Sequence, residues 1–143
     1  MTQPSIFQER ITAVRQKLHH WEVDGVLLSS PSNRRWLSGF TGSNGMLLIT
    51  ASKALIATDF RYYTQADREA PQFTLFKHQR TLADTRDFVA EAGVQQVGIE
   101  AKHVTLAQMA EWEDVEEVTW RPLQETVEPM RQVKPAMQID KIK

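Results

Sequence analysis

From Phe7 the apolar positions recur at alternating spacings of four and three, through Ile11, Val14 and Leu18 to Trp21, while Glu9, Arg10, Arg15 and Lys17 fall off that stripe. One apolar face with charge behind it predicts an amphipathic helix over 5–21. Ser5 followed three residues later by Gln8 has the form of a capping box, and Pro4 discourages extension backwards. Gly25 then releases the chain into Val26-Leu27-Leu28, an all-apolar run closed by Ser29, Ser30 and Pro31. Such a run reads as a strand buried on both faces, so helix and strand together point to an α/β layer architecture.

The stretch 33–63 organises the rest. It holds a short helix or turn, a loop punctuated by Gly39, Gly42 and Gly45, and two apolar runs, 45–50 and 54–58, separated only by Ala51, Ser52 and Lys53. A connection that short joins antiparallel neighbours and cannot make a parallel crossover, so the sheet is expected to be mixed. Asp59 can cap a helix whose inner face is Tyr62 or Tyr63 with Ala66 and Ala70, and Pro71 ends it. A strand at 73–76 follows. Thr81 opens a helix with Leu82, Phe88, Val89 and Ala92 inward and Gly93 at its C′ position. Beyond a strand at 97–99, Thr105 and Gln108 form a second capping pair ahead of Leu106, Met109 and Trp112, and 115–123 alternates as an edge strand would. The pattern predicts a single α/β domain: a mixed, roughly six-stranded sheet with helices on both faces.

Composition narrows the function. With 143 residues and 41% hydrophobic content, the chain has the size and apolar content of one domain. A formal charge of -1 and no concentration of Lys and Arg argue against nucleic acid as a partner. Without cysteine there is no disulfide, thiolate metal site or cysteine nucleophile. No export signal opens the sequence, and no apolar run approaches the ~20 residues of a membrane span. A soluble, cytoplasmic protein is expected.

The candidate chemistry thins on inspection. The glycine loop precedes a strand, whereas a dinucleotide cradle follows a strand and opens a helix, and the Lys-Ser/Thr pair of a P-loop is missing. Its glycines are expected to supply positive φ in a turn. Ser43 lacks the spacing and the strand-to-helix turn of a nucleophile elbow. His19, His20, His78 and His103 have no ligand spacing, and the acidic run 111–117 reads as a solvated helix end and strand start. Arg61 is the exception. A cation in a first helical turn opposes the helix dipole, so it needs either a carboxylate partner or an exposed role binding anionic groups.

Three motifs in order carry a resemblance: Trp36-Leu37-Ser38-Gly39-Phe40, then Gly42-Ser43-Asn44-Gly45, then Thr58-Asp59-Phe60-Arg61-Tyr62. With the leading helix, the strand after Asp24-Gly25, the Gly98-Ile99-Glu100 segment and the exit Arg131-Gln132-Val133-Lys134-Pro135, they resemble the N-terminal domain of the creatinase/prolidase/aminopeptidase P metallopeptidases. The family more often has glycine where this chain has Phe60, which puts bulk beside Arg61.

The resemblance implies a ribonuclease H-like domain over 1–130, with 131–143 beginning the linker to a C-terminal catalytic domain. After Pro129 the run has the mix of a starting helix, with Met137, Ile139 and Ile142 as inner residues and no terminator. The resemblance places no cofactor in this chain and two divalent ions (Mn, Zn or Co) in that further domain. There a metal-activated water would attack a peptide bond to proline. By the same resemblance this domain is non-catalytic, assembles as a dimer or tetramer and walls the active site. Phe40 and Arg61 would reach the substrate, with Asp59, Gly39, Gly42 and Gly45 in support. Aminopeptidase P is favoured over prolidase by Ser-Gly-Phe-x-Gly-Ser-x-Gly. The alternatives are an interaction domain of a catalytically inactive peptidase-like protein and a free-standing ligand-binding module.

Overall fold

The computed structural model describes residues 5–77 and 82–132, and for 82–85 the backbone only. The first helix, α1 (Ile6–Trp21), starts where Ser5 Oγ accepts a hydrogen bond from Gln8 N at 3.1 Å. It buries Ile11, Val14 and Leu18, the middle of the predicted stripe. Glu22 closes it in the left-handed region with φ 59°. Then follow β1 (Gly25–Leu28), α2 (Pro31–Ser38), β2 (Met46–Thr50) and β3 (Ala54–Thr58). After a single 3₁₀ turn (Phe60–Tyr62) come α3 (Tyr63–Glu69), β4 (Thr74–Lys77), α4 (Leu82–Ala92), β5 (Gln96–Glu100), α5 (Leu106–Glu113), β6 (Thr119–Leu123) and α6 (Glu128–Arg131).

The strands form one six-stranded sheet in the order β4-β3-β2-β1-β5-β6. Only β2 runs against the rest: it pairs antiparallel with β1 and β3, while β3 with β4, β1 with β5 and β5 with β6 are parallel. The continuous apolar runs have the expected cause, since both faces are covered. Val26, Leu28, Leu47, Ile49 and Ile56 pack with α1, α2 and α3, whereas Leu27, Leu48, Leu55 and Ala57 pack with Phe88 and Val89 of α4 and Trp112 of α5.

Several expectations shift on contact with tertiary structure. The edge strand is shorter than 115–123, because Val115 and Val118 are buried in a turn closed by Val118 N–H donating to Val115 O, and pairing begins at Thr119. The helix after Thr105 is anchored by buried Trp112, and Leu106 faces solvent. The strand predicted at 73–76 runs one residue later, with Phe73 buried just ahead of it. Thr81, His78 and the exit from Val133 onward, including Met137, Ile139 and Ile142, lie outside the described residues.

Candidate functional site at the carboxyl ends of the strands

Because β2 is antiparallel, the loop that enters it and the loop that leaves β3 emerge at the same edge of the sheet. Gly39 ends α2 with φ 82°, and its N–H donates to Arg35 O. It alone of the three loop glycines has positive φ, so the expected conformational reason does not hold for Gly42 and Gly45. Theirs is steric. A Cβ on Gly42 would lie 2.2 Å from Phe40 Cζ, and one on Gly45 would lie 3.2 Å from both Ala57 O and Phe40 Cε2. The loop is folded against the Phe40 ring.

Phe40 itself is 1% exposed and meets Tyr62 edge-on at 5.8 Å between ring centroids. The structure therefore puts this ring beneath the corner and leaves Phe60, 78% exposed, at its surface. Asp59 Oδ1 accepts from both the N–H and the Nε of Arg61 at 3.0 Å, and Oδ2 accepts from Arg61 Nη2 at 2.8 Å. Asn44 Nδ2 donates to the same Oδ2 at 2.7 Å. Both uses weighed for Arg61 are compatible here: it has its carboxylate, yet half of its side chain remains in solvent. The Asp59 bonds raise its pKa further above the ordinary arginine value, so it is a permanent cation.

Ser43 Oγ lies 2.5 Å from Tyr62 Oη, and this contact first of all pulls the Tyr62 phenol below its usual pKa. On the other side of the loop, Glu69 accepts from Thr41 N at 2.8 Å and from Gln65 Nε2 at 3.2 Å. The Thr41 N–H is the chief reason its carboxyl is held below the usual range. Asp59, Arg61 and Tyr62 are thus each hydrogen-bonded to a neighbour in the corner.

A second polar network was not foreseen. Glu100, 4% exposed at the end of β5, accepts from Ser29 N at 2.5 Å, Ser30 N and Ser30 Oγ at 2.8 Å, and Asn33 Nδ2 at 2.5 Å. It occupies the N-terminus of α2, where backbone N–H groups and the helix dipole favour an anion. Asn33 also donates to Glu128 Oε2 at 2.8 Å and accepts from Arg131 Nη1 at 2.9 Å, so one amide ties α6 to the sheet. Burial raises the Glu128 pKa, but the bonds from Asn33 and Thr126 outweigh it and leave the carboxyl below its ordinary value. Beside these residues a crevice of about 260 Å³ opens between Lys102, His103, Gln124 and Arg131. The only sequence signal was an acidic residue ending an apolar strand.

Among the described residues no group of three or more His, Cys, Asp or Glu side chains could hold a metal ion. The carboxylates of Glu100 and Glu128 share the Asn33 amide as a hydrogen-bond donor. Also among the described residues, no helix is long and apolar enough to cross a membrane.

Residues 10–133 match the family described as the Creatinase/Prolidase N-terminal domain. The uncharacterized peptidase YqhT of Bacillus subtilis is 34% identical over 119 residues, covering 82% of this chain and 34% of that protein. Among solved structures, the Xaa-Pro dipeptidase from Bacillus anthracis has a TM-score of 0.87 at 28% identity, over 94% of this chain and 38% of that one. The N-terminal domain of the cytoplasmic peptidase PepQ from Mycobacterium tuberculosis H37Rv has a TM-score of 0.72 at 30% identity, over 83% of this chain and 94% of that one. The chain thus spans about a third of the length of YqhT and matches most of a relative's N-terminal domain. A six-stranded sheet with one antiparallel strand, a glycine loop packed on Phe40 and an Asp-x-Arg-Tyr corner are what the match covers, and the chain belongs to the creatinase/prolidase N-terminal domain family.

Proposed function

We propose that this chain is the non-catalytic N-terminal part of an Xaa-Pro peptidase, of aminopeptidase P or prolidase type, and that its Asp59–Tyr62 corner forms part of the wall of the active site. The observation that carries this reading is the half-exposed guanidinium of Arg61, fixed by both oxygens of Asp59 and flanked by exposed Phe60. A fork held in that way offers its free edge to a carboxylate or carbonyl oxygen with little left to organise. Phe40 supports the corner from within, and Gly39, Gly42 and Gly45 let the loop close over it. Metal-assisted hydrolysis would belong to a further domain holding two divalent ions, and the domain described here would contribute orientation, exclusion of long peptides and contacts in a homo-oligomer. A cytoplasmic location accords with the relative named as a cytoplasmic peptidase.

The test is the Arg61→Ala variant of the full-length enzyme. Hydrolysis of Xaa-Pro peptides should fall by a larger factor than stability does. If the variant mainly lowers the melting temperature, Arg61 is structural and the reading fails. The isolated chain, with Mn²⁺ or Zn²⁺ added, should hydrolyse no such peptide, and activity in a pure sample would overturn the assignment. Exposed Phe60 favours one other reading, a protein-binding domain of an inactive peptidase-like protein. Intact metal ligands elsewhere in the polypeptide would decide against it.

A further inference from the structure

The loop that supports Arg61 is itself held from below by one buried cation. Arg34 lies in α2, 6% exposed. Its Nη1 donates to Ser29 O at 2.7 Å and Gly45 O at 3.0 Å, and its Nη2 donates to Gly42 O at 3.1 Å. Burial lowers its pKa, an effect opposed by the charge of Glu100. A guanidinium is costly to bury, and a Leu in the same helical position would cover the sheet without that cost. The carbonyls it takes explain the choice. Gly42 and Gly45 bracket Ser43 and Asn44, the two residues that hold Tyr62 and Asp59. Neither glycine has a side chain to lock, since the space for one is crowded by Phe40. Their carbonyls are the remaining handles, and a planar fork reaches two separate carbonyls where a lysine ammonium offers one point.

We propose that Arg34 is a positioning residue for Arg61: it fixes the Gly42 and Gly45 carbonyls, hence Ser43 and Asn44, hence the Asp59 carboxylate and the fork it holds. The inference rests on the reading that Arg61 faces substrate, but its first test does not.

The chain has only two tyrosines, Tyr62 and Tyr63, so the Tyr62 phenol can be followed by NMR or ultraviolet titration of the 143-residue protein. Ser43→Ala should move Tyr62 up toward the ordinary tyrosine value. Folded Arg34→Lys and Arg34→Met should move it in the same direction by a similar amount. A folded Arg34 variant with Tyr62 titrating as in the unsubstituted chain overturns the proposal. If neither variant folds, the unsubstituted protein decides: with labelled arginine, Arg34 should give separate, slowly exchanging Nη1 and Nη2 signals, and a freely rotating guanidinium overturns it. In the full-length enzyme, Arg34→Lys should lower kcat/KM and add nothing further in an Arg61→Ala background. Should Arg61→Ala leave kcat/KM unchanged while Arg34→Lys still shifts Tyr62, the positioning role stands and the substrate reading falls.

Discussion

Asp59 binds Arg61 three times across two residues of chain, once through the backbone N–H and twice through the guanidinium. The carboxylate is at once the cap of the Phe60–Tyr62 turn and the clamp on the side chain that follows. The dipole penalty expected for a cation at that position is thereby offset, because a negative charge sits at the same helix end.

Replacing Asp59 by Asn keeps the shape but sets an amide N–H against the donors on Arg61 and Asn44. The remaining side-chain oxygen still caps the turn, so the cost falls on the part-buried Asn44 amide left without its acceptor, about 1 kcal/mol. Urea denaturation of the 143-residue chain checks this, and in the full-length enzyme activity should fall at least as far as in Arg61→Ala. An Asp59→Asn variant with unchanged stability and unchanged activity would show that the carboxylate's second oxygen matters neither to the loop nor to the site.

Gly42→Ala drives a methyl into the Phe40 ring and should destabilise by about 1–3 kcal/mol. Phe40→Leu in the same chain should recover part of that loss, since the clash is with the ring. Gly93 gives the contrast: no atom stands within 4 Å of its notional Cβ, but its φ is +73°. Gly93→Asn should therefore cost less than Gly93→Ala, whereas Asn at 42 should be no better than Ala.

Glu100→Ala leaves the N–H groups of Ser29 and Ser30 without their acceptor and the Asn33 amide with Glu128 alone. A loss of about 3–5 kcal/mol is expected for breaking a buried charged network from one side. Hydrogen exchange at Ser29 and Ser30 should accelerate along with it. Exchange that stays slow at both amides would show that Glu100 is not what holds the start of α2.

The acid limb of stability should carry the signature of Glu69. Its folded pKa lies below the unfolded value, mainly through the Thr41 N–H, so its contribution is complete above the ordinary glutamate range and fades as pH falls through the depressed value. The Thr41 amide signal should titrate with a midpoint below that of an ordinary glutamate and lose the transition in Glu69→Gln. A midpoint at or above the ordinary value would contradict the geometry.

The frame of this domain was legible because its strands are buried on both faces: Val26-Leu27-Leu28 and Leu47-Leu48-Ile49 declare themselves by hydrophobicity alone. The short 51–53 connection then settled the antiparallel pair. What resisted was depth. Arg34 and Arg35 are adjacent and identical, yet one is buried under the loop and the other exposed, a difference set by the helix rotation and by carbonyls from another segment. Phe40, set among glycines and expected from the resemblance to reach the substrate, is 1% exposed. Those same glycines are what allow the backbone to wrap its ring. The capping pair of Thr105 and Gln108 marked the start of α5 but not which side would face inward, and Leu106 stands exposed. Pairs close in sequence, such as Asp59 and Arg61, could be anticipated; Asn33 meeting Glu128 and Arg131 required the whole fold.

The ladder between β2 and β3 sets more than the core. Met46 stands opposite Ala57, and stepping two residues outward along each strand leads to Asn44 and Asp59, the pair joined at 2.7 Å. A slip of one residue would turn one strand over, exchanging Leu47 and Leu48 between the two packed faces, and by the same movement carry Asn44 away from Asp59. Folding correctly and arming the corner are therefore a single event. The tight return at the opposite end, where Thr50 N–H donates to Lys53 O, carries no such burden, and extra residues there would lengthen the hairpin without moving Arg61.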